Sequence, residues 1–239
     1  MKIWTTQSGY TIEQIISGRS NVFLVSNGNK RIIVDASVKR LRKKMFRRLN
    51  RLGVSSVDYL ILTHTHFDHV GNAQSIKDAF SAKVVVHKNE AQFLQNGISI
   101  LPKGTNWFTR HVVGFLGKVF APLTNFKPCK PEMLIDSAYS FNDIGVNAYI
   151  IHTPGHSAGS ISLIVDNEIA IVGDSLFGIF PNSVFPPFAD NVPEMITSWH
   201  KLLETNCHTF LPAHGTFNSQ QLLQNEYVRS TKKSNNLFL

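Results

Sequence analysis

The sequence predicts a layered α/β protein in which strands are faced by helices, and three observations carry that expectation. Apolar runs of strand length alternate with segments of helical spacing through most of the chain. The 239 residues suffice for a full core and fall in the range where a layered unit is often one domain, here 1–239. Hydrophobic residues at 43% and charged residues at 17% exclude a disordered tail or a coiled coil, which need far less apolar content or far more charge.

The chain opens as a β-meander. Residues 10–17 and 21–25 read as strands, Ser26-Asn27-Gly28-Asn29 as a hairpin turn and residues 31–34 as the returning strand. Val38, Leu41, Met45, Leu49 and Leu52 then recur at helical spacing and Gly53 stops the run, which predicts an amphipathic helix over 38–52. A strand at 57–62, a helix at 72–80, a strand at 83–87 and a short helix at 89–94 follow. From about 96 to 131 the pattern breaks into Gly, Pro and aromatic residues, among them Trp107, Phe108, Phe115, Phe120 and Phe126. Irregular stretches of this length in compact domains are often functional covers, so it reads as a lid or specificity insertion, with a purely structural insertion as the alternative. Strands resume at 132–136, 146–152, 160–165 and 169–172, the last two joined by Asp166-Asn167-Glu168. Pro193 suits the start of a helix at 194–204, 209–211 is a brief strand, 220–229 is a final helix, and the tail from Thr231 is expected to fray. Both halves run strands first and alternate afterwards, a weak hint of internal duplication.

The net charge of +8 has one source. Lys39, Arg40, Arg42, Lys43, Lys44, Arg47, Arg48 and Arg51 lie in the predicted helix with no acidic residue among them, so the rest of the chain is formally neutral. A solvated basic face explains this more simply than a phosphate-rich partner, because a single basic helix is a weak nucleic-acid signal. No apolar run reaches the roughly 18 residues that a membrane span needs, and the first residues lack the apolar stretch of a signal peptide. Cys129 and Cys207 are too few for a disulfide framework, and a reducing, cytoplasmic compartment is expected.

The chemistry concentrates in Thr63-His64-Thr65-His66-Phe67-Asp68-His69, directly after the apolar strand ending at Leu62. A strand end followed by a tight turn sends His64 and His66 the same way and leaves Asp68 and His69 at the entry to the next helix. Neutral imidazoles and an ionised carboxylate are the usual zinc ligands, and a catalytic site needs only three of them if it keeps an open position. Four in one motif suggest two metals. Further ligands are expected from other strand-to-loop junctions. His156 in Pro154-Gly155-His156-Ser157, Asp174 after the apolar run ending Val172-Gly173, and His214 in Ala213-His214-Gly215 have the right form. His87, His111, His152, His200 and His208 are read as ordinary surface or hydrogen-bonded histidines. Ser157 and Ser175 flank candidate ligands without a base and orienter in view, which makes covalent catalysis the weaker reading.

Taken together, the His64–His69 motif, Pro154-Gly155-His156, Gly173-Asp174 and Ala213-His214-Gly215 resemble the metallo-β-lactamase superfamily over roughly 21–215. The resemblance implies a four-layer αββα sandwich with a two-metal site at one edge. It implies His64, His66 and His156 on the first metal, Asp68, His69 and His214 on the second, and Asp174 bridging them. Asp35 matches the family's buried aspartate, which fixes an imidazole tautomer without ligating metal. Zinc, two ions per chain, is the implied cofactor, with iron or manganese as substitutes.

Two such ions lower the pKa of a shared water, so a bridging hydroxide oriented by Asp68 is the expected nucleophile. The family spans several chemistries, and the departures narrow them. Asp174 stands where the zinc β-lactamases place a cysteine or a non-ligand. Phe177 stands where acyl-homoserine lactonases carry tyrosine, and 25 residues follow His214, fewer than the helical substrate domain of glyoxalase II. The leading expectation is a zinc-dependent hydrolase of a small ester, thioester or lactone, with Trp107 to Phe126, Phe177, Phe180 and Phe185 shaping the pocket. A small molecule is the expected partner, and nucleic acid through 38–52 is the lesser candidate. The alternatives are a phosphodiesterase or nuclease, a mononuclear iron persulfide dioxygenase, and a non-catalytic binding module.

Overall fold

The central strands are buried on both faces, and successive side chains along them enter different cores, three in all, which define the layers. The computed structural model describes residues 2–18, 20–100, 102–105, 109, 124–142 and 145–235. Its first sheet contains β1 (Ile3–Thr5), β2 (Thr11–Ile16), β3 (Val22–Ser26), β4 (Arg31–Val34), β5 (Tyr59–Ile61), β6 (Lys83–His87) and β7 (Met133–Ile135), neighbours in that order. β1 to β4 pair antiparallel and β4 to β7 parallel. The second sheet holds β8 (Ala138–Ser140), β9 (Ala148–His152), β10 (Ile161–Val165), β11 (Ile169–Gly173), β12 (Thr209–Pro212) and β13 (Asn218–Ser219).

Ile32 and Val34 on β4 meet Leu163 and Val165 on β10 in the space between the sheets. Ile33, one residue out of phase, turns instead to Met45 and Leu49 of α1 (Arg42–Arg51) and to Ile76 and Phe80 of α3 (Ala73–Phe80). On the far side, Ile164 and Val172 pack against Met195, Trp199 and Leu202 of α5 (Val192–Glu204) and Leu223 of α6 (Gln220–Asn235). The order of layers is therefore helices, sheet, sheet, helices, the αββα sandwich. α2 (Phe67–Val70) and α4 (Lys88–Asn96) complete the helices that the site uses.

The predicted turns form for identifiable reasons. Asn27 Oδ1 accepts from the Asn29 and Lys30 amides at 3.1 and 2.8 Å, which closes the hairpin of β3 and β4. Asp166 and Asn167 both adopt left-handed conformations, φ 57° and 54°, in a tight turn closed by the Glu168 amide donating to the Val165 carbonyl at 3.0 Å between β10 and β11. Three differences from the sequence reading stand out. The basic segment is not one helix from Val38, which is extended; a 3-10 turn over Lys39–Leu41 precedes α1. β1, β8 and β13 are strands of two or three residues, too short to show a period. The final helix does not fray at Thr231, whose hydroxyl donates to the Tyr227 carbonyl at 3.0 Å, and it runs to Asn235.

Of the predicted insertion at 96–131, residues 102–105 pack on the segment beside the second sheet, with the Thr105 amide donating to the Pro187 carbonyl at 3.0 Å. Trp107, Phe108, Phe115, Phe120 and His111 lie outside the described residues. Among the described residues, no helix is long and apolar enough to cross a membrane.

Candidate metal centre

The C-terminal ends of β4 and β5 fix the first half of the site. Asp35 follows β4 with φ 62°, and its amide donates to the Ile61 carbonyl at 2.9 Å. Its carboxylate accepts from the Thr63 amide at 2.8 Å, from the Thr63 hydroxyl at 2.9 Å and from His69 Nδ1 at 2.8 Å. With the Thr63 hydroxyl donating to Asp35, its oxygen is left to accept from His64 Nδ1 at 3.1 Å. His66 stands extended at the entry to α2, which carries Asp68 and His69.

The second sheet supplies the rest. Gly155 takes φ 126° and lies so close to α5 that an added Cβ would fall 2.3 Å from the Met195 nitrogen. The turn it permits aims His156 inward, with Nδ1 donating to the Phe188 carbonyl at 2.8 Å. Asp174 follows Gly173 at the end of β11, and His214 follows β12, where Gly215 and Gly178 form a backbone bridge.

Each anchored Nδ1 leaves the opposite ring nitrogen facing the cluster. His64 Nε2 and His156 Nε2 lie 2.9 and 3.0 Å from His66 Nδ1. Asp174 stands between two groups of residues, 3.4 Å from His156 Nε2, 3.5 Å from His69 Nε2 and 3.3 Å from His214 Nε2. Asp68 Oδ2 is 3.5 Å from His214 Nε2. The sets His64, His66, His156 and Asp68, His69, His214, and also His64, His69, Asp174, each keep their ligand atoms within 4.8 Å of one another.

The electrostatics suit cations. Burial, and then the neighbouring imidazoles, hold His64 and His66 well below the ordinary histidine range. Burial also lowers His156, against the opposing pull of Asp174. Burial pushes the Asp174 carboxyl up, but His214, His69 and His156 outweigh it and hold the group well below the carboxylate range. Burial likewise opposes protonation of His69 and His214, yet nearby carboxylates, led by Asp174, raise both. Neutral imidazoles beside ionised carboxylates are a ligand set, and the field that raises His69 and His214 favours any positive charge at that place. His69 Nε2 and Asp174 Oδ1 are buried without a hydrogen-bond partner among the described residues. Such buried orphans are rare in native proteins, and a metal ion between them would satisfy both. The residues present therefore fit a metal.

A cavity of about 470 Å³ opens onto His66, Asp68 and Asp174 and is walled by Phe67, Phe177, Phe188, Ile179, Pro102 and Pro187. Phe177 stacks on His214, with centroids 4.7 Å apart. Of the aromatics expected to shape the pocket, Phe177 lines it. Phe185 packs edge-on against Trp199 instead, and Phe180 is half exposed. Loop aromatics have no period from which a direction could be read.

The other described histidines lie apart from this cluster. His87 caps α4 through Nδ1, donates from Nε2 to the Asp136 carbonyl at 2.7 Å and stacks on His152. His200 and His208 face Glu204 and Glu168. The sequence reading missed the Phe188 carbonyl, which carries no residue-type signal, and Glu90, which reads as an ordinary helical glutamate.

A buried histidine–carboxylate cluster at one edge of an αββα sandwich defines a metallohydrolase-type fold, and a family model for the metallo-beta-lactamase superfamily matches residues 16–214. The chain belongs to that superfamily. It is 29% identical to "Probable metallo-hydrolase MJ0888" of Methanocaldococcus jannaschii over 158 residues, 66% of this chain and 68% of that protein. The crystal structure of ST1585 from Sulfolobus tokodaii, an archaeal superfamily protein, superposes with a TM-score of 0.67 at 20% identity, covering 91% of this chain and 85% of that one. In sequence the match to ST1585 is shorter and spans 50% of that protein. A di-iron-bound form of TTHA1623 superposes with a TM-score of 0.65 at 20% identity, covering 90% and 98%.

Proposed function

We propose that this protein is a hydrolase that holds two divalent metal ions and cleaves a small, uncharged ester, thioester or lactone. His64, His66 and His156 would hold the first ion and Asp68, His69 and His214 the second, with Asp174 shared between them. The observation that carries the reading is the convergence of these seven side chains around two buried atoms, His69 Nε2 and Asp174 Oδ1, that face each other without a hydrogen bond among the described residues. When bound, the metals supply Lewis-acid polarisation of the scissile carbonyl and a lowered pKa for the attacking water. The chain's own residues do the rest. Asp68, which lines the cavity, orients the attacking water and accepts its proton. Asp35 holds the His69 ring in one tautomer, and the Phe188 carbonyl does the same for His156. Phe67, Phe177 and Phe188 exclude bulk water from the reacting centre and seat an apolar acyl group.

The preference for an uncharged substrate follows from the cavity wall, which carries no Lys or Arg among the described residues. Zinc is the favoured ion on ligand chemistry, and the name "Probable metallo-hydrolase" borne by MJ0888 supports the reaction class. A cytoplasmic location accompanies this reading, supported by two free buried thiols. A second reading is a mononuclear iron dioxygenase, in which His64, His66, His156 and Asp174 would hold one iron; TTHA1623, similar in fold, binds iron, though two ions of it.

Turnover of a panel of uncharged thioesters, lactones and phosphodiesters, run beside oxygen uptake with a persulfide, distinguishes these. Acyl hydrolysis lost in Asp174→Ala and reduced chiefly in kcat by Asp68→Asn is the expected result. Full activity in Asp174→Ala would contradict the shared-ligand role.

A further inference from the structure

Glu90 on α4 is buried, 5% exposed, and closes on two loops at once. Its Oε2 accepts from the Thr65 amide at 3.1 Å and from the Thr65 hydroxyl. Its Oε1 accepts from the Ser157 hydroxyl at 2.7 Å and from the Gly159 amide at 3.2 Å. Thr65 lies between His64 and His66, and Ser157 follows His156. The second loop presses on the carboxylate's stem, since a Cβ added at Gly159 would fall 2.4 Å from Glu90 Cγ. A backbone bond from the Ile161 amide to the Thr63 carbonyl joins the strand ends at 2.9 Å. Beyond it and the contact of His156 Nε2 with His66 Nδ1 at 3.0 Å, Glu90 is, among the described residues, the side chain from a third element that bonds both loops.

From this geometry we infer that Glu90 is the positioning residue of the first metal position. One carboxylate fastens to α4 the two loops that carry His64, His66 and His156, and so keeps three imidazoles from different sheets in register. Asp35 fixes His69 of the second position and, through the Thr63 hydroxyl, also steadies His64 of the first, whereas Glu90 ties in the loop of His156. The inference rests on the two-metal reading and extends it by giving the first position a support that the second does not share. A carboxylate is required because all four contacts are donors, two to each oxygen. Glutamine would turn its NH₂ group toward one donor pair and push that loop away.

The test is titration of the full-length, metal-free protein with Zn²⁺ by calorimetry and with Co²⁺ by its visible spectrum. His66→Ala and His214→Ala identify which binding step belongs to which position. Glu90→Gln should weaken the first-position step by about 10–100-fold and leave the second-position step unchanged. Ser157→Ala, which removes one of the four contacts, should weaken the same step by less, and it serves if Glu90→Gln fails to fold. Far-UV circular dichroism of each metal-free variant checks the fold. Two unchanged steps, or both weakened alike in a folded variant, overturn the role given to Glu90 while leaving the two-metal reading intact. A wild-type protein that takes up fewer than two ions overturns both.

Discussion

Asp35→Asn is a sharp perturbation because it changes one atom at a buried junction. Asp35 and His69 are 2% and 0% exposed, so solvent cannot replace a lost partner. Asparagine, like aspartate, tolerates the left-handed φ of 62°, and the backbone should hold. Its single carbonyl oxygen must stay on the Thr63 amide, now accepted at 2.8 Å, because the reverse orientation sets NH₂ against N–H. The amide NH₂ then points at His69 Nδ1, where the carboxylate accepts at 2.8 Å. The ring must shift its proton to Nε2, the atom that faces Asp174 at 3.5 Å, and a protonated Nε2 has no lone pair for a metal. Losing one hydrogen bond to a charged group costs about 1.5–3 kcal/mol of folding stability, part of it recovered when Nδ1 accepts from the new amide. The larger effect is on metal uptake, a loss of about 10–100-fold, or roughly 1.4–2.8 kcal/mol, at the second position, with a smaller loss at the first because the Thr63 hydroxyl that steadies His64 shares the altered oxygen. Thermal melts of the metal-free protein and Zn²⁺ titration measure the two quantities separately. Wild-type affinity at both positions in a folded Asp35→Asn protein would refute the tautomer argument.

Four further outcomes are expected. Gly155→Ala should destabilise the protein by roughly 3–5 kcal/mol in chemical denaturation, since it combines an unfavourable φ of 126° with a Cβ driven into the α5 backbone; a loss under 1 kcal/mol would contradict the close approach. Burial pushes the Cys129 and Cys207 thiols up to about 11, so the thiolate fraction at pH 8 is about a hundredfold below that of a free thiol, and iodoacetamide should label them only after denaturation. Because these folded values lie above the ordinary 9.0, their contribution to stability is complete below pH 9 and is lost as pH rises from 9 to about 11, which alkaline unfolding curves of the Cys→Ala variants would register. Charge reversal at Lys43 and Arg47, exposed on α1 and away from the cavity lining, should leave turnover of an uncharged substrate unchanged and stability within about 0.5 kcal/mol.

What was legible in the sequence followed physical regularity. Ile32, Ile33 and Val34 announce a strand, and the sheet then splits them between two cores. Three histidines and an aspartate within the stretch from His64 to His69 announce a ligand cluster because few other structures need that density. His156, Asp174 and His214 were legible by their places at strand ends, and the fold brings all three to the same cluster. Residues whose role depends on distant partners were not legible. Glu90 lies 25 and 67 positions from the residues it bonds, and a lone glutamate in an amphipathic helix ordinarily marks the wet face. Phe180 and Phe185 were expected in the pocket, but without strand or helix register a loop side chain has no predictable direction, and packing on Trp199 claimed the second of them.

The central claim is that two ions occupy the cluster, and elemental analysis of the purified protein, after reconstitution and exhaustive dialysis, tests it most directly. About two divalent ions per chain, falling to about one in a folded His66→Ala variant, is the predicted result. A single iron in the wild type would favour the dioxygenase reading, and a wild-type protein that emerges metal-free would contradict the account.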